Sequence, residues 1–184
     1  KNFDKPIINA LSDLSHPCQA ISDLFTLYKR FNSLKLNILW VGDMNNVCFS
    51  FTEIVRIVED INLTICCPES ISSLKNWKLS NNIEIVNNIS DLNLDKFDCI
   101  MTDVFISMND ANSAYKEKEL IEYQVNQKLM SQTKSSCVFM HCLPANIGKE
   151  VTEEVINGSQ SIVWEQAKNK MFAQKNILSL IKWK

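Results

Sequence analysis

Apolar and polar positions alternate along this chain in two distinct periods. Leu36-Asn37-Ile38-Leu39-Trp40-Val41 is a near-continuous apolar run of strand length, ended by Gly42-Asp43. From Asn46 the apolar residues recur at Val47, Phe51, Ile54, Val55 and Val58, which is helix spacing. Further strand-like runs cover Leu63–Cys67, Ile83–Val86, Asp98–Thr102 and Ser136–His141. A short strand is predicted at Ser161–Trp164. Between them the pattern predicts helices over Ser70–Leu79, Ser113–Met130 and Glu165–Trp183, with a first helix over Pro17–Phe31 that carries Pro17 in its first turn. Strands alternating with helices predict an α/β fold, a doubly wound, mostly parallel sheet flanked by helices. No internal repeat, low-complexity tract or long linker interrupts it.

Composition changes this picture little. The 184 residues suffice for one full core, and 46% hydrophobic with 22% charged is an ordinary globular mixture. A net charge of −2 gives no reason to expect a nucleic-acid or anionic-membrane partner. No run of 18 apolar residues is present, so no membrane span is expected. Seven cysteines, an odd number with no CxxC pair, suit a reduced cytosol or organelle matrix better than a disulfide scaffold. With 2 histidines and no paired-cysteine motif a structural zinc is not expected, and 3 glycines exclude the GxGxxG and Walker loops. The start, Lys1-Asn2-Phe3-Asp4-Lys5, has neither an initiator Met nor a signal pattern and reads as a fragment.

Candidate chemistry concentrates where strands end. Met140-His141-Cys142-Leu143-Pro144-Ala145 closes the fifth strand with a thiol, an imidazole and a proline. A lone cysteine there is more often a buried core residue. His16-Pro17-Cys18-Gln19 opens the first helix, where unpaired N–H groups attract anions, or where His16 simply caps. Asp43-Met44-Asn45-Asn46 joins the first strand to a helix; the asparagines either cap it or point an amide at a ligand. Asp103, with Ser107 four residues on, follows the fourth strand and can hold an ammonium group or cap a turn. In a doubly wound sheet all four segments fall at one crevice. Strand alternation sends His141 away from Cys142, leaving His16 as the thiol's only candidate base. Arginine is scarce, only Arg30 and Arg56, so the chain lacks the forks that usually grip phosphate.

In order and wording these segments resemble the ornithine carbamoyltransferases. His16–Gln19 is similar to that family's HPxQ motif, Asp43–Asn46 to its DxxN turn, Asp103…Ser107-Met108 to its DxxxSM loop, and His141–Pro144 to its HCLP signature. The resemblance covers nearly all of the chain but only the second half of a family member. It implies a Rossmann-like ornithine-binding domain at residues 32–164. Residues 1–31 then form a connecting helix bearing the carbamoyl phosphate motif, and 165–184 a helix returning to a missing N-terminal domain. The implied reaction moves the carbamoyl group of carbamoyl phosphate onto L-ornithine, giving citrulline and phosphate in arginine metabolism. Catalytic roles fall to Cys142, His16 and Asp103. Carbamoyl phosphate would meet His16, Gln19, Cys142, Leu143 and Lys170; ornithine would meet Asn46, Asp103, Ser107 and Met108.

The resemblance further implies no metal or organic cofactor, a homotrimer, and a cytoplasmic or mitochondrial-matrix setting. Cys142 orients substrates in this scheme and forms no covalent adduct. Three positions depart from the family: Lys170 stands for an arginine, and Asn109 and Met44 for glycines. Either glycine replacement would cost on the order of 1 kcal/mol if the backbone there needs φ > 0. The alternatives are a non-catalytic ornithine-binding relative, a sister transferase acting on putrescine or an acylated ornithine, and a thiol hydrolase built on Cys142, His16 and Asp103. The hydrolase requires a depressed thiol pKa.

Overall fold

The computed structural model describes residues 5–73, 76–106 and 113–181. Five strands form one parallel sheet: β1 (Leu36–Val41), β2 (Ile61–Cys66), β3 (Ile83–Val86), β4 (Cys99–Thr102) and β5 (Val138–His141). Their order is β3-β2-β1-β4-β5. The chain therefore winds outward from β1 in one direction, then returns to add β4 and β5 on its other side. That reversal beside β1 is the place where open α/β sheets hold ligands.

Both faces of the sheet are covered, which is why the strands read as apolar runs rather than alternating ones. Alternation survives in which layer each residue joins. Ile38, Trp40, Leu63, Ile65, Met101 and Met140 belong to one core, which includes Ala20 and Leu27 of α1 (Pro17–Phe31) and Phe51 of α2 (Asn46–Val55). Leu39, Val41, Cys66, Ile100 and Phe139 belong to the other, with Leu129 of α5 (Gln127–Met130), Val155 of α6 (Glu153–Ile156) and Val163 of α7 (Val163–Leu180). α1 packs along α7.

The helices end by local chemistry. Pro17 occupies the first turn of α1, Lys29 and Arg30 its last, and Asn32 turns left-handed (φ 50°) to return its N–H to the Tyr28 carbonyl. α2 is capped by Asn45, whose side-chain oxygen accepts from the Val47 and Cys48 N–H groups at 3.0 Å each.

Three expected elements differ. The helix expected over Ser113–Met130 is broken into α4 (Ser113–Leu120), a 3-10 turn at Ile121–Tyr123, and α5. Between them the Val125 N–H donates to Glu150 and the Val125 carbonyl accepts from Thr152. A neighbouring segment thus claims the backbone groups a helix would need. The expected helix over Ser70–Leu79 contracts to α3 (Glu69–Ser72) among the described residues. The expected strand Ser161–Trp164 is a single bridge, Phe139 to Ser161, because Ile162 already accepts from Gln166 and starts α7.

Candidate active site

Register sets the geometry. Thr102 pairs with His141, so the next residues, Asp103 and Cys142, emerge side by side from the carboxyl ends of β4 and β5. The Cys142 thiol donates to Asp103 Oδ1 across 2.8 Å. Asn45 Nδ2 donates to the other oxygen, Oδ2, at 2.6 Å. Thr102 Oγ1 donates to the Val41 carbonyl at 2.7 Å and ties β4 to the end of β1.

Around this pair lies a crevice of about 750 Å³. Leu11, Ser12, Asp13 and His16 form one wall; Asp43, Asn45, Asn46 and Val47 form the floor at the start of α2. Asp103, Val104, Ile106 and Lys116 come from beyond β4, and Cys142, Leu143, Pro144 and Asn146 from beyond β5. A smaller hollow at the opposite strand ends is lined by Asn37, Asn62 and Asn82. Those amides already bond to one another and to backbone carbonyls.

The His16 N–H donates to Ser50 Oγ at 2.6 Å, which seats the start of α1 on α2. As an N-cap His16 makes no side-chain bond to its own helix. Burial lowers the imidazole pKa, and the Lys170 charge lowers it further, so the ring is held neutral at neutral pH. Nδ1 of His16 is buried without a hydrogen-bond partner. The thiol of Cys142 is pushed well above its ordinary pKa, by burial first and by the Asp103 carboxylate second. It is therefore a neutral donor. A thiolate nucleophile needs the opposite shift, which counts against the thiol-hydrolase alternative.

His141 does not line the crevice, as alternation predicts, but neither does it leave the site. Nδ1 accepts the Leu143 N–H at 2.9 Å, and Nε2 stands 3.4 Å from buried Glu150 Oε1. Glu150 Oε1 also accepts the Asn146 N–H. The ring thus supports the Leu143–Asn146 turn from beneath, where Leu143 has φ 54° and the Leu143–Pro144 bond is cis. Donor atoms of Asp103, His141 and Cys142 all lie within 4.8 Å of one another. Such a set is compact enough for a soft divalent ion, although the Leu143 N–H already occupies the imidazole nitrogen nearest the turn.

Of the residues expected at the site, His16, Asn46, Asp103, Cys142 and Leu143 converge on the crevice. Asn46 Nδ2 donates to the Ser12 carbonyl at 2.7 Å, holding the wall against the floor. Gln19 does not reach the crevice surface. Fully buried, it donates to Asp23 Oδ1 at 2.8 Å. Lys170, on α7, lies close enough to act on both His16 and Asp23. Ser107, Met108 and Asn109 lie outside the described residues. Met44 is a core residue whose φ is not positive, so the replacement there carries no left-handed strain.

Sequence reasoning missed three partners, Lys116, Glu150 and Gln166, and the second role of the capping Asn45. Asn45 orients Asp103; Lys116 bonds Asp43 Oδ2 at 2.7 Å; Glu150 faces His141. Gln166 donates to Asp23 Oδ1 at 2.7 Å and accepts the His141 N–H at 3.0 Å, joining α1, α7 and β5. Only Asn45 had a local signal, as the cap residue before a helix.

Sheet order and crevice define a doubly wound α/β domain whose polar site sits at its reversal point. The chain belongs to the aspartate/ornithine carbamoyltransferase family, whose Asp/Orn-binding domain model matches residues 34–181. It is 39% identical over 183 residues to the ornithine carbamoyltransferase of Rhodopseudomonas palustris, covering 97% of this chain and 59% of that protein. To the enzyme of that name from Methanobrevibacter smithii it is 39% identical over 189 residues, covering 97% and 62%. The ornithine carbamoyltransferase structure from Pyrococcus furiosus superposes with a TM-score of 0.82 at 34% identity, covering 96% of this chain and 59% of that one. The chain thus spans about three fifths of the length of the relatives it matches.

Proposed function

We propose that the chain is the ornithine-binding half of an ornithine carbamoyltransferase and works with a carbamoyl phosphate-binding domain outside these 184 residues. The observation that carries this reading is the side-by-side placement of Asp103 and a neutral Cys142 thiol beside His16 at the crevice. Asp103, with both oxygens fixed by Asn45 and Cys142, receives the substrate's amine. The amine must shed a proton before it attacks the carbamoyl carbon. A neutral His16 imidazole donates to the oxygen that becomes negative in the tetrahedral intermediate, a place where a positioned donor is worth several kcal/mol. Cys142 and Leu143 bracket the carbamoyl group, and no thioester forms. Collapse of the intermediate expels phosphate, which needs cations supplied by the other half and by Lys170. Asn46, Ser107 and Met108 complete the ornithine side, and Gln19 the carbamoyl phosphate side.

The proposed division of the chain sets residues 1–31 and 165–184 apart as helical segments that reach toward the partner domain, with the Asp/Orn-binding match itself running on to residue 181. Exposed apolar residues on α1 (Ile21, Phe25, Tyr28) and α7 (Met171, Phe172) support it, as surface that a partner domain would cover. Core thiols such as Cys66, Cys67, Cys99 and Cys137, none of them in a disulfide, favour a reducing compartment, the cytoplasm or a mitochondrial matrix. No helix among the described residues is long and apolar enough to cross a membrane.

The test is citrulline formation by the 184-residue chain alone and after fusion to the carbamoyl phosphate half of a relative. The fused protein is expected to turn over and the chain alone to be inactive. Ornithine binding without turnover at saturating carbamoyl phosphate would leave only a binding role. Citrulline from the isolated chain would overturn the division of labour.

A further inference from the structure

We propose that Asp23 is a positioning residue for the transfer reaction: one oxygen of its buried carboxyl fixes the direction of the Gln19 amide, so that Gln19 offers its carbonyl end to the amino group of the carbamoyl donor. This inference rests on the carbamoyl-transfer reading above and adds to it the group that holds Gln19.

Asp23 and Gln19 stand one turn apart on α1, and both are buried. Gln19 Nε2 donates to Asp23 Oδ1 at 2.8 Å, and Gln166 Nε2 from α7 donates to the same oxygen at 2.7 Å. Asp23 Oδ2 has no hydrogen-bond partner, so a proton carried there leaves Oδ1 an acceptor. An oxygen that only accepts decides which end of an amide can face it. Gln166 has no second choice, since its Oε1 takes the His141 N–H at 3.0 Å. Gln19 Oε1 is the end left over, buried and without a partner.

A buried acceptor left unpaired costs on the order of 1–3 kcal/mol, and it calls for an N–H that no described residue supplies. Gln19 lies three residues beyond His16, on the same side of α1, and His16 lines the crevice. Asp23 is near enough to Asp103 and Cys142 for their charges to act on one another, so the network lies directly behind the crevice. A carbamoyl group carries an uncharged NH2 with two donor hydrogens. That is the complement of a neutral amide oxygen.

The alternative is that Asp23 merely fastens α1 to α7. Further along the same contact, Asn169 does this with neutral groups, donating to Thr26 Oγ1 at 3.1 Å. A buried carboxyl costs more to desolvate than an amide or a hydroxyl. What it adds here is a fixed direction for both glutamine amides.

KM for carbamoyl phosphate and for ornithine would be measured on the chain fused to a carbamoyl phosphate half, for Asp23→Leu, Asp23→Asn, Gln19→Met and the double variant Asp23→Leu/Gln19→Met. Asp23→Leu should raise the carbamoyl phosphate KM by roughly tenfold, the scale of one hydrogen bond lost in a buried site. The ornithine KM should stay near wild type. Asp23→Asn should recover most of the loss, because Gln166, held by His141, still requires an oxygen at that place. In the Gln19→Met background Asp23→Leu should add little, since a residue that acts through another is not additive with it. If Asp23→Leu fails to fold, Asp23→Ala carries the same comparison. It leaves room for a water, which both donates and accepts and so no longer dictates the amide direction.

An unchanged carbamoyl phosphate KM, equal rises for both substrates, an Asn variant no better than Leu, or full additivity with Gln19→Met would each overturn the inference and leave the carbamoyl-transfer reading standing. A fused wild-type protein that forms no citrulline would bring down that reading and this inference with it.

Discussion

Asp23 shows how a single buried carboxyl can set the pH response of this molecule. It lies wholly inside the α1–α7 contact, where burial pushes its pKa from 3.8 up to about 7 against hydrogen bonds from Gln166 and Gln19 that pull it down. The folded protein therefore binds a proton here that the unfolded chain has released. Stability contributed at this site is present below the unfolded value and is lost as pH rises from about 4 to about 7. Asp23→Asn keeps the oxygen that accepts from both glutamines and cannot ionise. Relative to wild type it should gain on the order of 2–4 kcal/mol between pH 4 and pH 8. Thermal melts of the pair across that range check this, and parallel wild-type and variant curves would contradict it. Residues of this kind are invisible in the sequence. His16, Asp103 and Cys142 announce themselves by type at strand ends, whereas Gln166 meets Asp23 across 143 positions and Lys116 meets Asp43 across 73. No local pattern encodes such a meeting.

Elements divide the same way. All five sheet strands and α1 could be read from hydrophobic period because burial on one or both faces dictates it. Where the reading failed, a tertiary hydrogen bond had overruled a local preference: Val125 bonds Glu150 and Thr152 where a helix was expected to run on. The turn after α6 adds a constraint of space. A Cβ placed on Gly158 would stand 2.6 Å from the Glu154 carbonyl oxygen, a backbone atom that cannot swing aside. Gly158→Ala should therefore destabilise the protein by about 1–3 kcal/mol, the range for forced overpacking. Denaturant titration would measure it, and a change under 0.5 kcal/mol, typical of neutral surface sites, would show that the turn yields. By contrast Gly148→Ala meets no atom within 4 Å, yet its φ of 89° still strains an alanine.

At the scale of the whole molecule, the sheet order β3-β2-β1-β4-β5 puts the first strand in the middle. β1 pairs with β2 over six residues on one side and with β4 on the other. A chain cut after Asn93 would keep β1, β2 and β3 but leave the second edge of β1 bare, along with the apolar layers that β4 and β5 complete. Open apolar edges recruit other strands. That truncated chain should self-associate in light scattering, and a monodisperse folded fragment would show the half-sheet to be self-sufficient. The same topology orders events on the ribosome. Half of the sheet can assemble while the central strand still waits for neighbours made later, and for that interval the nascent chain is most in need of a chaperone. Asp103 and Cys142 emerge only with β4 and β5, so the strands that end this vulnerability also bring the reactive end of the site into being.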